Sequence, residues 1–96
     1  MILKDLLTVQ KFGIFTFKAT AHALIAEKTL KQDEKVFMIM PTPREISTSC
    51  GLAVKVYPED MEETRIYLEQ NKVAIEGIYL IDRQYKGKDS IQPILK

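Results

Sequence analysis

The sequence predicts an α+β fold with element order β-α-β-β-α-β, two helices covering one face of a four-stranded antiparallel sheet. Three observations predict it. Four short apolar runs, GIFTF, KVFMIM, GLAVKVY and IEGIYLI, carry the aromatic and β-branched residues that suit strands. Two longer segments, AHALIAEKTLKQ and the stretch from Pro58 to about Leu68, read as helices. One helix falls between the first and second strands, the other between the third and fourth.

Each element has a local reason. Residues 1–11 are weakly patterned; Leu3, Leu6 and Leu7 suit either a helical turn packed on the body or a loose arm. Gly13–Phe17 is the first strand. Thr20 is a reasonable N-cap for the helix that follows. Ala23, Ala26 and Leu30 form its apolar stripe, widened by Leu24, and Lys28 and Lys31 suit its C-terminal dipole. Lys35–Met40 is the second strand, which Pro41 and Pro43 stop. In Gly51–Tyr57, the third strand, Leu52, Val54 and Val56 alternate with Ala53, Lys55 and Tyr57. Pro58 takes the first position of the second helix, with Glu59 and Asp60 favourable in its first turn. Met61 and Leu68 face the core, and Asn71 is the expected left-handed stop. Ile75–Ile81 is the fourth strand. This is the ferredoxin-like split βαβ order. The remainder, 83–96, is polar with Gly87 and Pro93 and reads as a mobile tail or one ordered by a partner.

The totals bound the function. A chain of 96 residues suffices for one domain, 1–96, whose core spans about 12–82. Fourteen basic and thirteen acidic side chains give a net charge of +1, which argues against nucleic acid as a main partner. No apolar run is long enough to span a bilayer, and Lys4 and Asp5 interrupt any signal-peptide layout, so the expected location is cytoplasmic, with no membrane partner. There is one cysteine and one histidine, without ligand spacing, so neither a metal nor another cofactor is expected. The single cysteine has no internal disulfide partner.

That cysteine ends an unusual run, PTPREISTSCG at 41–51. In the expected topology the first two strands are parallel and end at the same sheet edge. The loop with Arg44, Glu45, Ser47, Thr48, Ser49, Cys50 and Gly51 would then share that edge with Thr20 and His22 of the first helical turn. Arg44 supplies a permanent positive charge and the hydroxyls supply donors. Gly51 allows close backbone approach. A nearby cation or a helix N-terminus favours the thiolate, the reactive form of cysteine. Such a loop could cradle an anion or a persulfide. Each residue also has a plainer role. A cysteine opening a strand packs as a small hydrophobe, and Arg44 with Glu45 makes a solvated pair. The Ser-Thr-Ser run suits turn chemistry, and His22 suits an exposed helix face. Met38 and Met40 fill core space. Glu62 and Glu63 are solvated and point in different directions.

The segment PTPREISTSCGLA resembles the motif of a family of small prokaryotic selenium/sulfur carrier-like proteins. ATAHALIAEKTLK, Pro58-Glu59-Asp60 and Glu76-Gly77-Ile78-Tyr79 are similar to the elements around it. The resemblance covers roughly 12–81, and Thr48 stands where serine is common. It implies that Cys50 is the carrier residue, holding sulfur or selenium between a donor and an acceptor protein. The alternative is a binding module, a sensor or regulator, that uses the same loop for a small ligand or a protein, with Cys50 structural. A third reading is an accessory subunit with neither function. An unpaired edge strand of such a sheet could join two copies as a homodimer.

Overall fold

The run KFGIFT is apolar at both strand parities, which suits a strand buried on both faces. A computed structural model describes residues 6, 8–46, 51–83 and 90–95, and in it this run, Lys11–Thr16, is β1, buried from Phe12 onwards. The other elements are α1 (Thr20–Gln32), β2 (Met38–Pro41), β3 (Leu52–Val56), a 3-10 turn (Pro58–Asp60), α2 (Met61–Gln70), β4 (Gly77–Asp82) and β5 (Ser90–Leu95). The fold is α+β; among the described residues α1 and α2 accompany a five-stranded sheet in the order β2-β3-β1-β4-β5. Every neighbouring pair is antiparallel.

The fifth strand corrects the expectation of four. Part of the expected mobile tail, Ser90–Leu95, pairs with β4, Ile81 opposite Ile91 and Asp82 opposite Ser90. Ile91, Ile94 and Leu95 were too sparse, and Pro93 too disruptive, to signal a strand alone. The long β4 supplies the template, and a register irregularity at Ile78/Tyr79 accommodates the pairing.

The first helix ends at Gln32, as its sequence suggests, and the left-handed stop of the second falls one residue beyond Asn71. Lys35 N–H donates to Leu30 C=O (3.0 Å) and Glu34 N–H to Lys31 C=O (3.1 Å), with Glu34 at φ 54. In α2, Val73 N–H donates to Leu68 C=O (2.9 Å) and Lys72 N–H to Glu69 C=O (3.0 Å), with Lys72 at φ 62. Both are Schellman closures with a non-glycine residue in the left-handed position. Lys72, not Asn71, is therefore the left-handed stop. The first closure consumes Asp33 to Lys35, so β2 starts at Met38 rather than Lys35. At the start of α1 the cap position belongs to Ala19, with no side-chain cap, and Thr20 is already helical. Pro58 opens the 3-10 turn instead of the α-helix. In α2 the buried residues are Thr64 and Leu68, while Met61 is half-buried. A Cβ on Gly13 would collide with the Met61 side chain, so the glycine lets α2 sit close to β1.

Both faces of the sheet are packed. On the helix face Phe15, Phe17, Val54, Val56 and Ile78 meet Ala23, Ala26 and Leu30 of α1 and Leu68 of α2. On the other face Phe12, Ile14, Ala53 and Ile81 form a second cluster with Ile46, with Val9, Met40, Tyr79 and Ile91 against it. Leu6 is fully buried; Leu3 and Leu7 lie outside the described residues.

Candidate functional site

The β2–β3 connection is built from the residues of the PTPRE run. Thr42 N–H donates to Gly51 C=O (2.9 Å), closing the hairpin ladder one residue past Pro41. Ile46 N–H donates to Pro43 C=O (3.0 Å), which makes Pro43–Ile46 a tight turn. Arg44 and Glu45 occupy the middle of that turn and are exposed. Ile46 is 6% exposed and belongs to the cluster on the face opposite α1 and α2. The turn is thus polar at its tip and anchored at its base.

Gly51 is exposed, and a Cβ added there meets nothing within 4 Å. Space at this position is open, so packing does not require glycine. Ser47, Thr48, Ser49 and Cys50 lie outside the described residues.

β3 lies between β1 and β2, so β1 and β2 are parallel and end at one edge. Two strand spacings, about 10 Å, separate them. α1 leaves that edge on the helix face, with Thr20 exposed and His22 half-buried in its first turn. The His22 Nδ1 atom is buried and has no hydrogen-bond partner. Ile46 sits on the opposite face. The structure therefore gathers Arg44, Glu45 and Gly51 in one hairpin, and holds Thr20 and His22 on the other side of the sheet. Which side a loop folds towards depends on where its apolar residue finds a pocket. Strand order alone does not carry that information.

The face opposite α1 and α2 also holds a group that the sequence pattern hid. Lys55 is 8% exposed, and its Nζ lies 4.3 Å from the centre of the Phe12 ring. The Arg83 guanidinium lies 5.3 Å from the same ring. Burial, and then the neighbouring Arg83 charge, pushes the Lys55 ammonium below its ordinary pKa. Strand alternation puts Lys55 on the side opposite Val54 and Val56, the side that two helices on one face would leave to solvent. The signal against it was the apolar character of Phe12 and Ile14 at the same parity.

Other charges among the described residues pair at the surface, while partial burial, ahead of the Glu59 and Glu63 charges, raises the pKa of Asp60. Lys35 reaches Glu63 (2.5 Å) and Asp33 (3.4 Å), and the hydrogen bond it donates to the Glu63 carboxylate raises its pKa. Arg65 bridges Glu62 (2.6 Å) and Glu69 (2.8 Å) along α2. Glu62 and Glu63 therefore serve separate partners. Among the described residues no three His, Cys, Asp or Glu side chains group as metal ligands, and no helix is long and apolar enough to cross a membrane.

The described residues form a two-helix α+β domain with an anchored β2–β3 hairpin. The chain belongs to the family described as "Putative Se/S carrier protein-like", whose model matches residues 12–80. The match takes in all but the first residue of β1, runs through most of β4 with the whole PTPREISTSCG run, and leaves β5 outside. No curated protein and no solved structure matches the chain.

Proposed function

We propose that this protein carries sulfur or selenium on Cys50 and relays it between two partner proteins. The observation that carries the reading is the family match across residues 12–80, which includes Cys50. The architecture is compatible with it: a hairpin loop, closed at Thr42 and Gly51 and anchored by Ile46, presents Arg44 outward. On this reading the fold is a ferredoxin-like β-α-β-β-α-β core in the order β4-β1-β3-β2, extended by β5.

The transfer has two displacements. The Cys50 thiolate attacks the terminal sulfur of a donor persulfide; an S–S bond forms to Cys50 and the donor cysteine leaves as a thiolate. An acceptor nucleophile then attacks the terminal sulfur of the Cys50 persulfide, and the Cys50 thiolate leaves. No net electrons are exchanged with solvent. Cys50 is the only cysteine of the chain, so release must come from the acceptor. Arg44 would favour the anionic persulfide, and Glu45, Ser47, Thr48, Ser49 and Gly51 would shape the loop around it. A selenium adduct would follow the same two steps. The reading places the protein in the cytoplasm, where thiols stay reduced. Thr20 and His22, on the helix side, would take part only through a partner that spans the sheet edge.

The exposed Arg44–Glu45 tip also suits a binding module with a structural Cys50. Thiol chemistry separates the two. The measurement is the pH dependence of Cys50 alkylation in native protein, with mass spectrometry for a sulfur adduct after incubation with a persulfide donor. Fast labelling near neutral pH with an adduct supports the carrier. Labelling that appears only on unfolding removes it and leaves the binding module.

A further inference from the structure

We infer that two copies of this chain pair through the outer edge of β2, in an antiparallel register centred on Met38. Among the described residues β2 pairs only with β3, and its other side ends the sheet. The Thr42–Gly51 bond fixes the hydrogen-bonding parity of this ladder. Residues in register with that pair, Met40 with Ala53 and Met38 with Lys55, exchange bonds inside the sheet. Phe37, Ile39 and Pro41 then turn their backbone groups outward. Pro41, which has no N–H, sits at an outward position, where an edge strand tolerates proline.

A two-fold axis through Met38 sets Phe37 opposite Ile39 of the second copy, and Ile39 opposite its Phe37. Each such pair exchanges two N–H···O=C bonds. The next pair outward sets Pro41 opposite Lys35. Proline has no donor, and the Lys35 N–H is already given to Leu30 C=O (3.0 Å). The ladder therefore ends at the same place on both sides, with no donor left stranded. This register matches the edge to itself.

The flank above the edge is self-complementary too. A groove of about 490 Å³ runs between α1 and β2, with Glu27 and Lys31 on the helix side and Phe37 and Ile39 on the strand side. Glu27 and Lys31 form an i,i+4 pair (3.6 Å). The same axis brings α1 against its copy in the opposite direction, so Glu27 faces Lys31 of the second copy twice over. Leu24, 52% exposed, lies on the same flank of α1 by helical spacing. The opposite edge of the sheet is less suited. β5 carries Pro93 within its span, and its pairing with β4 is already irregular.

Sedimentation equilibrium of the full chain under reducing conditions tests the pairing. A dimer in the micromolar range is expected. Met38→Lys sets two charges face to face across the axis and should give monomer with an unchanged circular dichroism spectrum. Glu27→Lys alone and Lys31→Glu alone should each weaken the dimer by about threefold to tenfold, and the double exchange should restore it. Should Met38→Lys fail to fold, Met38→Cys in a Cys50→Ser background gives the same reading: oxidation should link two copies, because directly opposed, non-bonded strand positions come close enough for a disulfide. A wild-type chain monomeric at about 100 µM, or a dimer indifferent to the Met38 and charge substitutions, overturns the proposal. The first of these outcomes would leave the edge to a different partner. None depends on whether Cys50 carries sulfur.

Discussion

The two faces of the sheet are buried by different means. The helix face is a conventional apolar core, where Phe15, Phe17, Val54 and Leu68 interlock with two amphipathic helices. The other face has no helix lying on it from α1 or α2. It is closed by Ile46 from the hairpin, by Val9, and by a lysine and an arginine over the Phe12 ring. The first face can be built from pattern alone. The second makes a loop and a charge part of the core, and so ties the stability of the sheet to the hairpin proposed to carry the chemistry.

The comparison breaks most sharply at the two buried phenylalanines. Phe12 and Phe15 are both fully buried, one on each face. Truncation of either to alanine should cost about 3–5 kcal/mol in urea unfolding. A much smaller loss at Phe12 would mean that the cluster opposite α1 and α2 is only a cover. Phe12→Leu sharpens the test: it keeps most of the volume and removes the ring that Lys55 and Arg83 share, an expected further loss of about 1 kcal/mol.

Ile46→Ala comes next, at about 2 kcal/mol, because a loop collapses around a lost side chain more readily than a strand does. Its stronger effect should be local. Amide exchange at Thr42 and Ile46 should accelerate more than exchange at Val54 or Val56.

Lys55→Met should act in the opposite direction and raise stability at neutral pH by roughly 1 kcal/mol, since an apolar side chain avoids the burial of charge. The pH dependence checks the cause. Lys55 is held below its ordinary value of 10.5 in the folded chain, chiefly by burial. Between the folded and unfolded pKa values, the unfolded chain keeps the proton that the folded chain has lost. Stability should therefore rise with pH across that window, just below 10.5, and Lys55→Met should flatten the rise. Lys35 shifts the other way, mainly through its hydrogen bond to Glu63, so its contribution is present below 10.5 and fades above it.

The smallest effect belongs to the helix ends. Glu34 and Lys72 hold left-handed backbone without being glycine. Lys72→Gly should stabilise by about 0.5 kcal/mol, the relief of the Cβ strain less the added chain entropy.

Much of the fold was legible because it is local. The α1 stripe of Ala23, Ala26 and Leu30 is buried as its spacing predicts, and α1 and β3 fall within a residue or two of their expected limits. The left-handed stop at Lys72 and the late start of β2 at Met38 are not legible locally, because a Schellman closure places its left-handed residue by backbone hydrogen bonds, and any side chain can be made to serve. The hairpin was legible as a loop from its prolines, and its family from PTPREISTSCG. Its direction was not.

The sequence by itself determined which residues could be strand or helix, that a single thiol follows a proline-rich run, and which family the chain belongs to. These depend on neighbours in the chain. Only the tertiary structure decided that Ser90–Leu95 adds a fifth strand, that Ile46 anchors the hairpin away from the helices, and that Lys55 is buried against Phe12. Each of these joins residues far apart in sequence. Their burial is set by the surface they meet, and a side chain carries no record of that surface.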